Sequence, residues 1–134
     1  MAKTITKRME KRAVIDSNIL VYSSKGRLDF YQLIESYDEI YISSITFMEA
    51  MGFNYTSFIE RRAVEEFVKD CEVVHTDNAI SHHVIAYRRK RKIELADAII
   101  LATAKKLKAD LITIDAADFK NLDSSVKIIV PSLI

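Results

Sequence analysis

Short apolar runs alternate along this chain with longer stretches whose apolar positions recur every three to four residues. Ala13-Val14-Ile15 is the first run; it ends at a carboxylate and shows no polar alternation, which suits a strand buried on both faces. Ile40-Tyr41-Ile42, a brief run over 72–75, and residues 111–114 and 127–130 predict further strands, Pro131 stopping the last. Helical spacing covers 27–37, where Leu28, Tyr31 and Ile34 share a stripe widened by Leu33 and Tyr37. It returns over 57–70, with Phe58, Ile59, Val64 and Phe67 inward, and over a stretch through Ala79, His83, Ala86 and Tyr87 that ends in Arg88-Arg89-Lys90-Arg91-Lys92. A side-chain oxygen of Ser43 or Ser44 caps a helix starting near Ile45, and one of Thr76 or Asp77 caps the helix through Tyr87. Another helix is predicted from about Glu94 to Lys108. Strands alternating with helices predict an α/β fold of three layers, α/β/α, around a mostly parallel sheet of about four or five strands.

The 134 residues, 49% of them apolar, are the size of one domain with its own core. Residues 1–12 carry five Lys/Arg and little periodicity, so they read as a basic tail ahead of a single domain over 13–134. Twenty basic side chains against nineteen acidic ones leave a net charge of +1, so any argument for a polyanionic partner must be local. With two glycines, far apart at Gly26 and Gly52, a glycine-rich phosphate-binding loop is excluded. A lone Cys71 and no export signal predict a reducing, cytoplasmic setting. No apolar run reaches the roughly 18–20 residues of a membrane span, the stretch from Leu95 to Ala104 being broken by Asp97 and Thr103, so no membrane contact is expected.

Four acids stand out against this pattern. Asp16 and Asp115 follow apolar strands, and in open parallel sheets ligands bind outside the carboxyl ends of strands. Asp in that position is also a common turn or cap residue. Asp97 shares a helical stripe with Ile100, Leu101, Ala104 and Leu107, which points it toward the interior, where an unpaired carboxylate costs several kcal/mol or more. An ion pair with a cation of Arg88–Lys92 and a divalent metal are the two ways to compensate it. Glu49, one turn from Ile45 and Phe53, is also read as inward-facing; an acid near a helix N-terminus has a bland reading as well. Four acids from distant segments are more economically explained by a metal cage, and carboxylates without a Cys/His cluster select Mg²⁺ or Mn²⁺ over zinc.

Val14-Ile15-Asp16-Ser17-Asn18, Ser43-Ser44-Ile45-Thr46-Phe47-Met48-Glu49, the segment from Leu95-Ala96-Asp97 to Ala104, and Leu111-Ile112-Thr113-Ile114-Asp115-Ala116-Ala117-Asp118-Phe119 resemble the four blocks of PIN domains, especially VapC-type toxin ribonucleases of toxin–antitoxin systems. Order and spacing agree from about Ala13 to Val130. The resemblance implies an endoribonuclease with Asp16 and Asp97 as principal metal ligands and Glu49 and Asp115 completing the acidic pocket. It implies pocket roles for Asn18 and Thr113, and offers Asp118 as an alternative fourth acid, which the sequence places in the turn into Phe119. It also implies RNA as substrate, a small antitoxin that covers the cleft, and a second copy of the chain as partners. A negative pocket needs cations at its rim to receive a polyanion, and Arg88, Arg89, Arg91 and Lys92 fit that task, although basic residues ending a helix also suit its dipole. His75, His82 and His83 lack a metal-binding spacing, and the Tyr and Phe side chains are expected in core or interface rather than as base-stacking platforms. Two other classes are weighed against the nuclease: a PIN-like RNA- or protein-binding module without catalysis, which often lacks part of the acidic set, and a receiver-type phosphotransfer domain, which expects paired acids where Val14-Ile15-Asp16-Ser17 offers one.

Overall fold

The computed structural model describes residues 10–134; the part of the expected basic tail over 1–9 lies outside the described residues. Five strands, β1 (Arg12–Ile15), β2 (Glu39–Ser43), β3 (Glu72–Val74), β4 (Asp110–Ile112) and β5 (Ile128–Ile129), form one sheet in the order β3-β2-β1-β4-β5. Every pairing is parallel, so the sheet expected to be mostly parallel is wholly so. Successive side chains of a strand face opposite ways. Val14 accordingly enters one apolar cluster while Ala13 and Ile15 enter the other, and all three are fully buried. The first cluster packs under α5 (Asn78–Lys90), α6 (Leu95–Leu107) and the single turn α7 (Ala116–Phe119) through Ile80, Val84, Ile100, Leu101 and Phe119. The second packs under α1 (Ser17–Ser24), α2 (Phe30–Ile34), α3 (Ser44–Met51) and α4 (Phe58–Lys69) through Ile19, Leu20, Phe30, Ala50 and Val64. These are the three layers expected from the alternation of strands and helices.

Local chemistry sets the helix starts. The hydroxyl of Ser43 accepts the Ile45 amide at 3.2 Å, that of Ser57 the Ile59 amide at 3.1 Å, and Asp77 Oδ1 the Ile80 amide at 2.9 Å, which selects Ser43 and Asp77 from the paired cap candidates. The helix expected over 27–37 is only five residues long, because Asp29 caps it by accepting the Gln32 amide; Phe30 turns inward and Tyr31 outward. In α4 the expected inward positions Phe58 and Ile59 are 72% and 78% exposed. The buried stripe runs through Val64, Phe67 and Val68, and one turn back from Val64 it passes through Glu60, leaving Phe58 and Ile59 off it. Two helices, α1 and α7, were not expected from the pattern: α1 contains the unbroken run Ile19-Leu20-Val21-Tyr22, which has no helical period, and α7 is one turn.

The strand order has a functional consequence. From the central β1 the chain builds outward through β2 and β3, then crosses back to lay β4 and β5 on the other side. The carboxyl ends of β1 and β4 therefore flank the point where the order reverses, the place where open α/β sheets form a ligand crevice.

Candidate active site

Asp16 follows β1 directly and is 6% exposed. Its amide donates to the Ile112 carbonyl at 3.0 Å, which locks it against the end of β4. The side chain caps α1, Oδ1 accepting the Ser17 amide at 2.8 Å, while Oδ2 accepts the buried Thr113 hydroxyl at 2.7 Å. The cap reading thus holds, and the same carboxylate turns its other oxygen to Thr113, just past the end of β4. Asn18, on the first turn of α1, donates its side-chain amide toward Asp16 Oδ2 at 3.3 Å, Thr113 Oγ1 at 3.4 Å and Asp115 Oδ2 at 3.3 Å, and its oxygen accepts the Ile114 amide at 3.4 Å. Thr113 Oγ1 also accepts the Asp115 amide at 3.1 Å. Asn18 and Thr113 therefore tie the acid after β1 to the acid after β4. Asp115 does not end the strand as expected: β4 stops at Ile112, and Asp115 stands three residues on, at the start of α7.

Asp97 lies in the first turn of α6 and is half-buried rather than interior, while Ala98 and the run from Ile100 to Ala104 carry the buried face. Burial pushes its carboxyl up to about 6, with the charges of Asp16, Asp118, Glu49 and Glu94 adding to the effect. Burial likewise raises Asp16; the Thr113 hydroxyl and Ser17 amide draw it back down, and Glu49 and Asp115 push it up again. Among the described residues no Lys or Arg forms an ion pair with Asp16, Asp97, Glu49 or Asp115, so the expected alternative of a structural pair between Asp97 and the Arg88–Lys92 cations is not realised. Glu49 is exposed, a correction to the inward reading: α3 buries Thr46 and Ala50, and Glu49 sits beside that stripe, at the open face. It nonetheless borders a groove with Ser17 and Asn18, and its charge reaches both Asp16 and Asp97. Asp115 and Asp118 are not rivals for one place. Asp115 joins the Asp16 network, whereas Asp118 shares a small hollow of about 240 Å³ with Asp97, Glu94, Arg91 and Lys92.

The basic run divides in two. Arg88 and Arg89 end α5 exposed, and Lys92 is exposed beside Asp97. Arg91 is engaged: its guanidinium donates to the carbonyls of Lys92 at 2.9 Å, Asp118 at 2.9 Å and Lys120 at 2.8 and 3.1 Å, clamping α7 and with it Asp118. A larger hollow, about 740 Å³ between Lys90 and the loop after α7, contains none of the four acids. Sequence reasoning missed the residues of α1 beyond Asn18 together with Lys25, because α1 was not expected, the cap position of Asp16 being the available signal; it missed Phe53, which follows α3, because the aromatic side chains were expected in core or interface.

The donor set is one of carboxylate oxygens, partly desolvated, sharing uncompensated negative charge, which fits a hard divalent cation. Among the described residues no three His, Cys, Asp or Glu side chains are drawn together into a finished cage.

The family model of the PIN domain matches residues 13–124. Among solved structures, a toxin–antitoxin complex from Klebsiella pneumoniae has a chain 29% identical, with 91% of this chain and 99% of that one covered and a TM-score of 0.74. VapBC2 from Rickettsia felis, bound to a DNA fragment from its promoter, is 19% identical over 90% and 99% of the two chains, TM-score 0.74. DNA-bound VapBC from Salmonella typhimurium is 21% identical over 90% and 98%, TM-score 0.69. No curated protein matches the sequence.

Proposed function

The chain belongs to the PIN domain family, and we propose that it is a metal-dependent endoribonuclease, the toxin of a toxin–antitoxin pair. The observation that carries the reading is that Asp16, at the end of β1 where the strand order reverses, lies near enough for its charge to raise the Asp97 carboxyl, both acids being partly desolvated and, among the described residues, in no ion pair with a Lys or Arg. Asp16 and Asp97 would hold Mg²⁺ or Mn²⁺, with Glu49 and Asp115 at the margin of the same pocket. Such a cation, when bound, lowers the pKa of water and offsets charge on a phosphodiester. Asn18 and Thr113 hold the carboxylates of Asp16 and Asp115 in place by hydrogen bonds, the supporting role on which ligand geometry depends. Glu49, exposed at the open face, would accept a proton from water. Arg88, Arg89 and Lys92 would draw RNA toward the negative pocket by phosphate contacts, while Arg91 supports the pocket by fixing α7.

The similarity to the Klebsiella pneumoniae complex supports an antitoxin as partner. An arginine of that partner reaching the carboxylates would inhibit by pairing with them and competing with the cation. A second copy of the chain is a further proposed partner; Phe58 and Ile59 offer apolar surface for a protein contact. Among the described residues no helix is long and apolar enough to cross a membrane, and the proposed setting is the cytoplasm. The test is incubation of structured RNA with the protein in Mg²⁺ or Mn²⁺, in chelator, and with Asp97→Asn. Cleavage confined to the wild type with cation is expected; cleavage undiminished in chelator would overturn the mechanism.

A further inference from the structure

The groove beside the acids is built unlike a plain apolar cleft. Its volume is about 500 Å³, within the range of pockets that take one small molecule. Asn18 and Glu49 line it and belong to the acidic site, Val21, Tyr22 and Phe53 supply apolar and aromatic surface, and Lys25 adds a cation. Along α1 the rise from Asn18 to Lys25 is about 10 Å, so the groove leads away from Asp16. Lys25 is exposed and, among the described residues, forms no ion pair.

Phe53 is positioned rather than stray. Gly52 ends α3 with its amide on the Met48 carbonyl at 2.9 Å, and a Cβ at Gly52 would lie 2.8 Å from that same oxygen, so the tight exit suits glycine. The chain then delivers Phe53 to the surface, 42% exposed. Its ring meets Tyr55 at 4.9 Å and 60°, and the Tyr55 hydroxyl donates to the Ala50 carbonyl at 2.8 Å, which anchors the pair to α3. A held aromatic face, a neighbouring cation and an amide are the elements by which single-stranded RNA is bound: a base stacks, a phosphate meets the lysine, and a polar edge finds a partner.

We propose that this groove is a nucleotide subsite, in which one unpaired base next to the scissile phosphate stacks on Phe53 while Lys25 contacts the adjoining phosphate. The assignment rests on the RNA-cleaving reading and adds to it a preference for unpaired RNA at one defined position. Continuity with Asn18, which is bonded to Asp16, is what sets that position beside the cleaved bond.

The experiment is a cycle between protein and substrate. A short RNA carrying one abasic residue, moved position by position across the cleavage site, is cleaved in Mn²⁺ by wild type, Phe53→Ala and Phe53→Trp. With the wild type, one position is expected to show a loss in kcat/KM of roughly 5- to 100-fold. Phe53→Ala should lose a similar factor on intact RNA and show little further loss at that position, and Phe53→Trp should recover both the rate and the abasic penalty. Penalties that stay undiminished in Phe53→Ala, or no penalty at any position, would overturn the subsite and leave the groove to a protein segment. Failure of the wild type to cleave the intact RNA would instead overturn the nuclease reading, and this proposal with it.

Discussion

Replacing Asp97 by asparagine should make the protein more stable while removing its activity. The Asp97 carboxyl rises from 3.8 to about 6 on folding, first through burial and then through the charges of Asp16, Asp118 and Glu49. Fully expressed, that difference is about 3 kcal/mol against the charged form, at 1.36 kcal/mol per tenfold change. Asp97 is only half-buried, so solvent screening reduces the figure to about half. Its place in the first turn of α6 returns ~0.3–1 kcal/mol to the anion through the helix dipole. The net gain for Asp97→Asn is therefore about 1 kcal/mol at neutral pH, or roughly 3–5 °C in Tm. The sign follows from linkage: an acid whose folded pKa is raised costs nothing below about pH 4, where both states hold the proton, and its penalty grows as pH rises through about 6. Melting curves of wild type and Asp97→Asn in chelator, from pH 4 to pH 8, should show a gap that opens between pH 4 and 6 and stays level above. Adding Mn²⁺ should close or invert it, since a ligand that binds the folded state stabilises only the protein that can hold it. A variant less stable than wild type at pH 7 in chelator, or a gap independent of pH, would refute the reasoning.

Asn18→Ala removes the donor that joins Asp16, Thr113 and Asp115; cleavage rate should fall about 10- to 100-fold, with folding retained by circular dichroism. Thr113→Val keeps the shape but strips buried Asp16 of its 2.7 Å donor, and urea unfolding at neutral pH should show a loss of about 1–3 kcal/mol. Arg88→Ala with Arg89→Ala should leave thermal stability within about 0.5 kcal/mol yet reduce the dependence of RNA affinity on salt, by about 0.7 in the log–log slope per lost phosphate contact. Arg91→Ala should do the reverse, lowering Tm through the lost bonds to Asp118 and Lys120 with little change in that slope.

Much of the fold was legible because its determinants are local. The runs of β1 and β4 are short and buried toward both layers, and α3, α4 and α5 start at a serine or aspartate cap, whereas α6 starts at Glu94 without a side-chain cap bond and is legible from its apolar run alone. Where the pattern failed, tertiary contact decided. In α1, Ile19 and Leu20 pack into the core while Val21 and Tyr22 border the groove, so a helix is apolar on neighbouring sides and shows no period. Asp97 was legible from its apolar stripe, although the structure leaves it at the edge of that stripe rather than inside. Glu49 illustrates the limit: Met48, Ala50 and Met51 beside it, with Ile45 and Phe53 one turn away, suggested an inward face, but Met48 and Phe53 are themselves exposed and the fully buried positions of α3 are Thr46 and Ala50. That Asp115 joins Asp16 while Asp118 joins Asp97 depends on how α7 turns after β4, held by Arg91 from a segment some 27 residues earlier. No local pattern encodes such a contact.

The most direct test of the central claim is Mn²⁺ binding measured by calorimetry on the same preparation whose RNA cleavage is followed. Wild type is predicted to bind with a dissociation constant close to the Mn²⁺ concentration that gives half-maximal cleavage, and Asp16→Asn and Asp97→Asn to lose binding and cleavage together. Full cleavage in chelator, or Mn²⁺ binding unchanged in both variants, would contradict it.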